Sequence, residues 1–349
     1  MNRQIPLCVP SLHGSEKNYV NSALNTNWVS SGGAFINEFE KNIAEYNNSK
    51  YGIACTNGTS ALHVSLLASG IRKGDEVIVP TVTFIAPINA VNYIGAVPVF
   101  MDCDEYLNID VLKINDFLKN ECVFKDEMLR NKRTMNIIRA ILPVHVFGIP
   151  VDMESLIEIA NKYNLLIIED ATESLGSYFR KGKYKNKKTG TIGTCGCYSF
   201  NGNKIITTGG GGMVVTDDEN AARYVRYLTT QAKDDELHYI HNEVGYNYRM
   251  TNLQAAIGLG QLEVLDTYIQ IKRNNFNKYF ELLDGYRGLS FVKESPYGYS
   301  NRWFYSLIVE KDQYGLSRNE LMQKLNERSI FASSLSSKIA NTEPKILSK

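Results

Sequence analysis

The chain has 349 residues, which is too many for one small core and enough for a large α/β domain with a smaller second domain. Its 38 basic and 37 acidic residues nearly cancel and are interspersed, so a nucleic-acid partner, which leaves a basic excess, is not indicated. The six scattered cysteines fit neither a zinc spacing nor a disulfide framework, and no metal site is predicted. No segment resembles a signal peptide or a membrane span, so we expect a soluble, cytoplasmic protein.

The N-terminal part is predicted to be an extended arm followed by two helices. The first helix is expected at residues 15–25, with Ser15 as its N-cap, and the second at residues 34–46. Between them lies the small polar turn WVSSGG at residues 28–33. Such a turn can present backbone N–H groups to a ligand, although the same composition is typical of an ordinary loop.

From residue 51 onward the pattern alternates between short apolar strands and helices. Strands are predicted at residues 51–56, 76–80, 97–102, 137–146, 165–168 and 213–216. Repeated strand and helix units of this kind favour a mostly parallel sheet with helices on both faces. Residues 121–135 are charged and weakly patterned, and we predict a surface insertion there.

The C-terminal part is predicted to begin with two helices, at residues 251–268 and 270–283, followed by strands at 287–292 and 301–310 and a helix at 319–328. The last twenty residues lack periodic apolar positions and resemble a disordered tail. The predicted division is therefore a large domain at residues 1–265, a small domain at residues 266–328, and an atypical tail at residues 329–349.

The stretch from residue 167 to 212 carries the clearest chemistry. An apolar strand ends in Glu169 and Asp170, and Lys204 follows about thirty residues later, between Ser199 and a run of four glycines. A pyridoxal phosphate enzyme needs such a carboxylate to keep the pyridine nitrogen protonated, and such a lysine to form a Schiff base with the cofactor. These residues predict a pyridoxal phosphate site.

Two earlier segments could complete that site. A turn at Gly58, Thr59 and Ser60 joins a strand to a helix, and its free N–H groups and hydroxyls suit a phosphate. The same residue types are also the commonest structural helix caps. Phe84 stands where a strand passes into a helix, on the sheet edge that binds ligands in α/β folds, and could be a stacking ring or a core aromatic.

Six motifs occur in one order along the chain: WVSSGG, NGTSAL, PTVTFIA, IIEDATESLGS, SFNGNKIITTGGGG and GYNYRMTNLQAAIGLGQLE. With these motifs the chain resembles the DegT/DnrJ/EryC1 sugar aminotransferases, which are fold-type I pyridoxal phosphate enzymes, over about residues 5–310. The resemblance implies an α/β fold with a mostly parallel seven-stranded sheet and a smaller C-terminal α+β domain. The chain looks most like the enzymes that aminate the 4-keto position of nucleotide-linked 6-deoxy-N-acetylhexosamines on the way to bacillosamine or legionaminic acid.

The resemblance also implies roles for individual residues. Lys204 would bind the cofactor covalently and carry the transferred proton, Asp170 would pair with the ring nitrogen, and Glu173 would lie beside the ring hydroxyl. Phe84 would stack on the ring. Further cofactor contacts are expected from Gly58, Thr59, Ser60, Ser199, Asn201 and Asn247, and substrate contacts from Trp28, Ser30, Ser31 and Arg249.

The implied substrates are L-glutamate and a nucleotide-linked 4-keto sugar. Asn247, with Arg249 as a second candidate, would reach the site from a second subunit, which implies an obligate homodimer with shared active sites. Sugar dehydrases of this fold carry histidine in place of the lysine, so Lys204 argues against that activity. The glycine run at residues 209–212 fits the bacillosamine-type branch and would leave room for cofactor and sugar.

Two other functions compete with this interpretation. A kinase or dehydrogenase could use the glycine run as a phosphate loop, but the run lacks both the GK[ST] ending and the GxGxxG spacing. A catalytically impaired binding or scaffold protein is the other alternative. It is suggested by the C-terminus, because after Arg328 the chain shows nothing like the family's arginine-containing strand and closing helices, as if it were truncated or frame-shifted.

Overall fold

A computed structural model describes residues 4–235 and 237–334 of the chain. The strands in these residues are β1 (Tyr51–Cys55), β2 (Glu76–Pro80), β3 (Val97–Met101), β4 (Cys122–Lys125), β5 (Met128–Asn131), β6 (Ile138–Ile141), β7 (Leu166–Asp170), β8 (Tyr178–Phe179), β9 (Cys195–Ser199), β10 (Gly212–Thr216), β11 (Leu289–Phe291), β12 (Gly298–Tyr299) and β13 (Leu307–Val309).

The α-helices in the same residues are α1 (Glu16–Asn25), α2 (Ala34–Asn47), α3 (Gly58–Ala68), α4 (Ile85–Tyr93), α5 (Val111–Asn120), α6 (Met153–Tyr163), α7 (Glu219–Thr229), α8 (Asn252–Leu262), α9 (Leu265–Leu283), α10 (Lys311–Tyr314) and α11 (Arg318–Glu327). A short 3₁₀ turn spans Val146–Gly148. Ser15 stands at the N-cap position of α1, as predicted, but its side chain makes no capping hydrogen bond.

The central sheet has seven strands in the order β1-β10-β9-β7-β6-β2-β3. Strand β10 runs antiparallel to both of its neighbours, and every other pairing that joins β9, β7, β6, β2 and β3 is parallel. The predicted α/β fold with a mostly parallel seven-stranded sheet is therefore confirmed. Because six strands point the same way, their carboxyl ends share one edge of the sheet.

Both faces of the sheet are covered. Val77 and Ile168 belong to a buried cluster with residues of α3 and α7, whereas their neighbours Ile78 and Ile167 belong to a second cluster with residues of α5 and α6. Adjacent residues in a strand point to opposite faces. The near-continuous apolar character of these strands follows from burial on both sides.

The surface insertion predicted at residues 121–135 is largely exposed, as expected, but it has regular structure that was not predicted. These residues form the β4–β5 hairpin, in which Cys122 and Leu129 are buried. Asp126 and Glu127, at the turn, both adopt positive φ, of 52° and 61°. Hairpin turns of this geometry usually contain glycine or asparagine, so the sequence carried no turn signal. Apolar Val123 and Phe124 at exposed strand positions concealed the alternation.

Three further boundaries differ from the prediction. The helices near residue 265 separate at Glu263 and Val264, several residues earlier than expected. In the predicted strand 301–310 only Leu307–Val309 is a strand, because the preceding residues pack elsewhere, with the Asn301 N–H donating to the Ser177 hydroxyl. Of the predicted tail, Ile330 forms a parallel bridge with Ile5 of the N-terminal arm, and residues 335–349 lie outside the described part of the chain.

A buried carboxylate joins α2 to the sheet. Glu40 is 5% exposed and accepts a hydrogen bond from the Ala54 N–H at 2.7 Å. It also forms ion pairs with Arg226, at 2.8 Å, and with Arg249. The Arg249 side chain is itself nearly buried. Removing one partner of such a buried group leaves uncompensated charge, which is strongly destabilising.

We expect Glu40→Ala to lower the free energy of unfolding by about 3 kcal/mol, because it leaves Arg249 and the Ala54 N–H without their buried acceptor. The measurement is urea unfolding of the cofactor-free protein followed by circular dichroism. Glu38→Ala, at an exposed position of the same helix, is the matched control and should change the free energy by less than about 0.5 kcal/mol. Equal effects of the two substitutions would contradict this role of Glu40.

Candidate active site

Two adjacent acids at the end of β7 face opposite sides of the sheet and have different surroundings. Glu169 accepts hydrogen bonds from His145, at 2.9 Å, and from the N–H groups of Gly190, Ile192 and Gly193, at 2.6 to 2.8 Å. Burial alone raises the pKa of Glu169, but these donors lower it further than burial raises it, so the pKa lies below its usual range. Glu169 is a structural acid.

Asp170 is buried with fewer donors. Its Oδ1 accepts the Thr172 N–H at 2.9 Å. Burial raises the pKa of Asp170, and the hydrogen bonds from Thr172 and the charge of Lys204 only partly offset it. A buried carboxylate of this kind gains most from a cationic partner. This environment suits the predicted role of Asp170 opposite a protonated ring nitrogen.

The loop after β9 presents Lys204 to this edge of the sheet. It is closed by paired backbone hydrogen bonds of Phe200, whose N–H donates to the Gly211 carbonyl and whose carbonyl accepts the Thr208 N–H, each at 2.9 Å. Within the loop the Lys204 N–H donates to the Asn201 carbonyl at 3.0 Å. Asn201 itself is exposed on the loop. The loop conformation is thus set by its own backbone.

Helix α8 fixes the far side of the same loop. Gln254 donates to the Gly210 carbonyl at 2.6 Å, and the Gln261 side-chain carbonyl accepts the Thr207 N–H at 3.1 Å. Thr251 caps the helix in a reciprocal capping box with Gln254. The motif after Arg249 therefore contributes a rigid support for the lysine loop.

The Lys204 ammonium is close to an acid and to an aromatic ring. Its Nζ is 3.9 Å from Glu173 Oε1 and 4.3 Å from the centre of the Trp303 ring. Glu173 accepts the Phe147 N–H at 2.8 Å. Burial raises the pKa of Glu173, and the Lys204 charge opposes that rise. The structure therefore brings Lys204, Asp170 and Glu173 into one electrostatically coupled group.

The predicted phosphate turn lies beside β9. In the sheet, Gly212 of β10 pairs with Cys55 of β1 on one side and with Ser199 of β9 on the other. The turn that follows Cys55 therefore starts at the same level of the sheet as Ser199. A Cβ added to Gly58 would lie 2.8 Å from Cβ of Ser199, so only glycine allows this approach. As the first residues of α3, Gly58 and Thr59 have N–H groups without acceptors in their own helix. Together with Ser199 they form a candidate anion cradle.

Ser60 has a different role from the one predicted. Its N–H and hydroxyl both donate to the side chain of Asn57, at 2.8 and 3.0 Å, and the residue is buried. Asn57 is thus the N-cap of α3, and Ser60 completes the cap. The alternative interpretation of this motif as a helix cap applies to Ser60.

Phe84 is the N-cap residue of α4 and is 71% exposed. The interpretation of Phe84 as a core aromatic is therefore wrong. A large ring left exposed at the ligand-binding edge of the sheet is available to cover a planar ligand. Its predicted stacking role stays a prediction.

The glycine run is only partly open. A Cβ added to Gly211 would lie 2.3 Å from Thr208 Oγ1, and one added to Gly212 would lie 2.4 Å from the Asn57 carbonyl oxygen. These two glycines are therefore needed for packing within the chain, which corrects the expectation that the whole run leaves room for ligands. Gly209, with φ of 81°, has no neighbouring atom within 4 Å of such a Cβ.

The WVSSGG turn is organised by one buried residue, Asn252. Its side chain donates to the Trp28 carbonyl at 2.7 Å and accepts the Phe35 N–H at 3.1 Å, and its own N–H donates to the Ser30 carbonyl at 2.7 Å. The side chains of Trp28, Ser30 and Ser31 are exposed. The turn is thus rigid in backbone and open in its side chains.

Asn247 and Arg249 separate in the structure. Asn247 is exposed and forms a bridge with Thr230 at the end of α7, so it can reach outward from its own chain. The Arg249 guanidinium instead binds Glu40 of its own chain. We therefore leave Arg249 out of the candidate site.

Sequence reasoning missed Trp303, Asn301 and Asn252. Asn301 is fully buried and donates to the carbonyls of Glu173 and Leu175, each at 3.0 Å. Trp303 and Asn301 lie in the predicted strand 301–310, and Asn252 lies at the start of the predicted helix 251–268. The local sequence does not show which distant residue such a side chain contacts. The run of three aromatics that follows Asn301 and Arg302 in SNRWFYS is the only local signal.

Comparison with known proteins decides the family. The sequence profile of the DegT/DnrJ/EryC1/StrS aminotransferase family matches residues 10–344. The chain belongs to this family. It is a pyridoxal phosphate-dependent nucleotide-sugar aminotransferase. The match extends past Arg328, beyond the point at which the sequence motifs had suggested a departure.

Individual relatives agree with this assignment. A GDP-perosamine synthase of Caulobacter vibrioides is 45% identical over 76% of the chain and 66% of its own length. A GDP-perosamine synthase of Escherichia coli O157:H7 is 42% identical over 94% of the chain and 85% of its own length. A crystal structure of an aminotransferase from Psychrobacter cryohalolentis, 32% identical, superimposes with a TM-score of 0.79 over 93% of the chain and 82% of that protein.

The residues in the structure fit pyridoxal phosphate. Gly58 leaves a cradle that a Cβ would fill, beside Ser199 and the N-terminus of α3, where a phosphate is favoured. Asp170 is a buried acid with a single backbone donor to its Oδ1, and Lys204 is a nearly buried amine on the same edge of the sheet. Gly58, Thr59, Ser199, Asp170 and Lys204 are therefore the residues that would hold the cofactor.

Two observations concern other site types. Within residues 4–235 and 237–334, no three His, Cys, Asp or Glu residues are grouped so that they could hold a metal ion. No helix in the described part of the chain combines the length and the apolarity needed to cross a lipid bilayer.

We expect Asp170→Asn to stabilise the cofactor-free protein near pH 7, to have progressively less effect as the pH falls toward the ordinary carboxyl value of 3.8, and to have little effect below it. Burial raises the pKa of Asp170 in the folded protein. Below the ordinary value of 3.8 the carboxyl is protonated and the folded state keeps its full stability; as the pH rises through the raised pKa, the carboxyl loses its proton in a buried position and stability is lost. Asparagine removes that loss while keeping an acceptor for the Thr172 N–H. The measurement is the free energy of unfolding at several pH values.

The matched control is Asp116→Asn, at an exposed position of α5, which should change the free energy of unfolding only slightly. A stability gain for Asp170→Asn that is largest at acid pH would contradict the electrostatic description of the site.

Proposed function

We propose that the enzyme transfers the amino group of L-glutamate to the 4-keto carbon of a nucleotide-linked 4-keto-6-deoxyhexose, with GDP as the preferred nucleotide. The observation that carries this proposal is a lysine held beside two buried acids in a chain of this family. The GDP preference is supported by the two GDP-perosamine synthases, whose named product carries a 4-amino sugar. The N-acetylated sugars of the bacillosamine and legionaminic routes are the alternative.

The chain's own residues provide binding and proton transfer. Bound pyridoxal phosphate supplies an electrophilic aldehyde and an electron-withdrawing ring. Asp170 provides the negative charge that holds a proton on the ring nitrogen, in a buried site where opposite charges attract strongly. Lys204, through Nζ, is the base that moves a proton, and Glu173 lies close enough to orient that amine. Phe84 would shield the ring from water.

The proposed enzyme is a homodimer with shared active sites. The support in this chain is the exposed position of Asn247, held by the Thr230 bridge at the end of α7. The neighbouring side chains His63, Tyr246 and Tyr248 form an aromatic cluster, with ring centroids 4.9 to 5.9 Å apart. This cluster would keep the segment stiff enough to place Asn247 in the site of the partner subunit.

The substrate prediction is tested with a panel of keto sugars. The enzyme is first converted by L-glutamate to the amino form of the cofactor, and each sugar is then added while the absorbance of the aldehyde form is followed. We expect a GDP-linked 4-keto-6-deoxyhexose to restore the aldehyde form and a 3-keto isomer to leave the spectrum unchanged. Faster restoration by a UDP-linked N-acetylated 4-keto sugar would instead support the bacillosamine or legionaminic route.

The same experiment separates an active enzyme from an impaired homologue. Lys204→Ala should abolish turnover and covalent cofactor binding, because no other amine replaces Nζ. Lys181→Ala, at an exposed position of a basic loop, should retain both. A wild-type protein that takes up no pyridoxal phosphate would support the interpretation as a binding or scaffold protein.

Shared active sites predict complementation between inactive subunits. Lys204→Ala and Asn247→Ala proteins are each expected to be impaired, but a mixed dimer contains one site with both substitutions and one with neither. Random exchange of subunits should therefore restore about one quarter of the wild-type activity. Activity that remains at the sum of the two separate variants would show that Asn247 serves its own subunit's site or none.

A further inference from the structure

Lys204 is in contact with a ring from the C-terminal part of the chain. The Trp303 ring centre is 4.3 Å from Lys204 Nζ, and Trp303 is 4% exposed. Glu173 Oε1 is 3.9 Å from the same Nζ. An ammonium that has lost most of its water is stabilised both by an aromatic face and by a carboxylate. Both groups therefore stabilise the charged form of the lysine.

The position of Trp303 is fixed at three points. Its N–H donates to Asn301 Oδ1 at 2.9 Å, its ring Nε1–H donates to the Asn203 carbonyl at 2.6 Å, and its own carbonyl accepts a hydrogen bond from Lys272 at 3.3 Å. Phe304 stacks on the indole with ring centroids 3.9 Å apart. A side chain held in this way at backbone and ring has one orientation, and the acceptor on Asn203 adjoins Lys204 itself.

Glu173 is also held by hydrogen bonds, at its side chain and at its backbone. Phe147, which donates its N–H to Glu173, has φ of 52° and ψ of 25°, a left-handed conformation that is rare for a bulky residue. Asn301 donates to the backbone carbonyl of the same glutamate at 3.0 Å. Asn301 thus holds both Glu173 and Trp303 and sets the distance between them.

We infer that Trp303 is a positioning residue which, with Glu173, forms a resting site for the free ammonium of Lys204. The inference rests on the proposed role of Lys204. Transamination requires that amine to alternate between a bonded and a free form, and a free buried cation needs a partner in each cycle. The resting site keeps the amine near the cofactor position and away from solvent, and it makes the C-terminal segment part of the catalytic cycle.

The contact can be observed without any turnover. The lysines of cofactor-free protein are reductively methylated with ¹³C-formaldehyde and a borane reductant, and the Lys204 signal is assigned by its loss in Lys204→Arg. In the wild type this signal should be shifted upfield by the indole ring current. Trp303→Leu should abolish the shift, whereas Trp303→Phe, which keeps a ring but loses the Asn203 hydrogen bond, should retain part of it. A merely structural role of Trp303 would not produce this graded response.

The energetic consequence is measured by mixing cofactor-free protein with pyridoxal phosphate. Covalent bonding requires the neutral amine, so loss of the ring that stabilises the ammonium should speed it at pH 7 by roughly twofold to fivefold in Trp303→Leu. Phe291→Leu removes an aromatic ring in the same part of the chain, packed on Phe276 and Phe280, and should leave both the signal and the rate unchanged.

The remaining lysine signals in the same spectra show whether Trp303→Leu is folded. If Lys204 has an unshifted signal in the folded wild type, or if Trp303→Leu alters neither the signal nor the rate, the resting site does not exist. Failure of the proposed function has a different signature: borohydride reduction followed by peptide mass analysis would then find pyridoxal phosphate on a residue other than Lys204, or on none.

Discussion

The hydrogen-bonded carboxylate of Glu169 is the contact on which the site depends. It accepts donors from His145 and from the 190–193 loop, and His145 accepts the Val151 N–H through Nδ1, which places its proton on Nε2 facing the acid. Two loops are thereby hydrogen-bonded to the C-terminal end of β7. Adjacent residues of a strand face opposite sides of the sheet. Glu169 has hydrogen-bond donors for its carboxylate on one face, whereas Asp170 on the other face is buried with fewer donors. Its carboxylate would therefore be stabilised by a bound cation.

The sequence allowed the architecture and the principal chemistry to be predicted because both depend on local signals. Alternating apolar strands and helices specified the sheet, and Asp170 and Lys204 could be identified since each ends or follows a strand whose carboxyl end must lie at the ligand-binding edge. In the structure the charge of Lys204 is close enough to lower the pKa of Asp170, against the larger rise caused by burial. The hairpin at residues 122–131 was missed because its turn uses Asp126 and Glu127 in place of glycine or asparagine.

Long-range partners account for what the sequence could not reveal. Arg249 and Ser60 have side chains suited to bind a substrate or a phosphate, and only the fold shows that Glu40 and Asn57 already occupy them. Trp303 looked like a residue of a small-domain strand, since nothing in its neighbourhood indicates that its ring lies over a lysine about a hundred positions earlier. A residue type indicates what a side chain can bind, whereas topology determines which partner reaches it first.

The Asn203 carbonyl links the N-terminal arm to the C-terminal part of the chain. It accepts the Trp303 ring N–H and also the thiol of Cys8, at 3.5 Å, from the N-terminal arm. The arm continues to Ile5, which bridges Ile330 beyond α11. One backbone oxygen beside Lys204 is therefore shared by the N-terminal arm and by Trp303 of the C-terminal part. An affinity tag or a fusion partner that strains the first ten residues would pull on the lysine loop itself, and a cleavable tag with a long spacer is the safer choice.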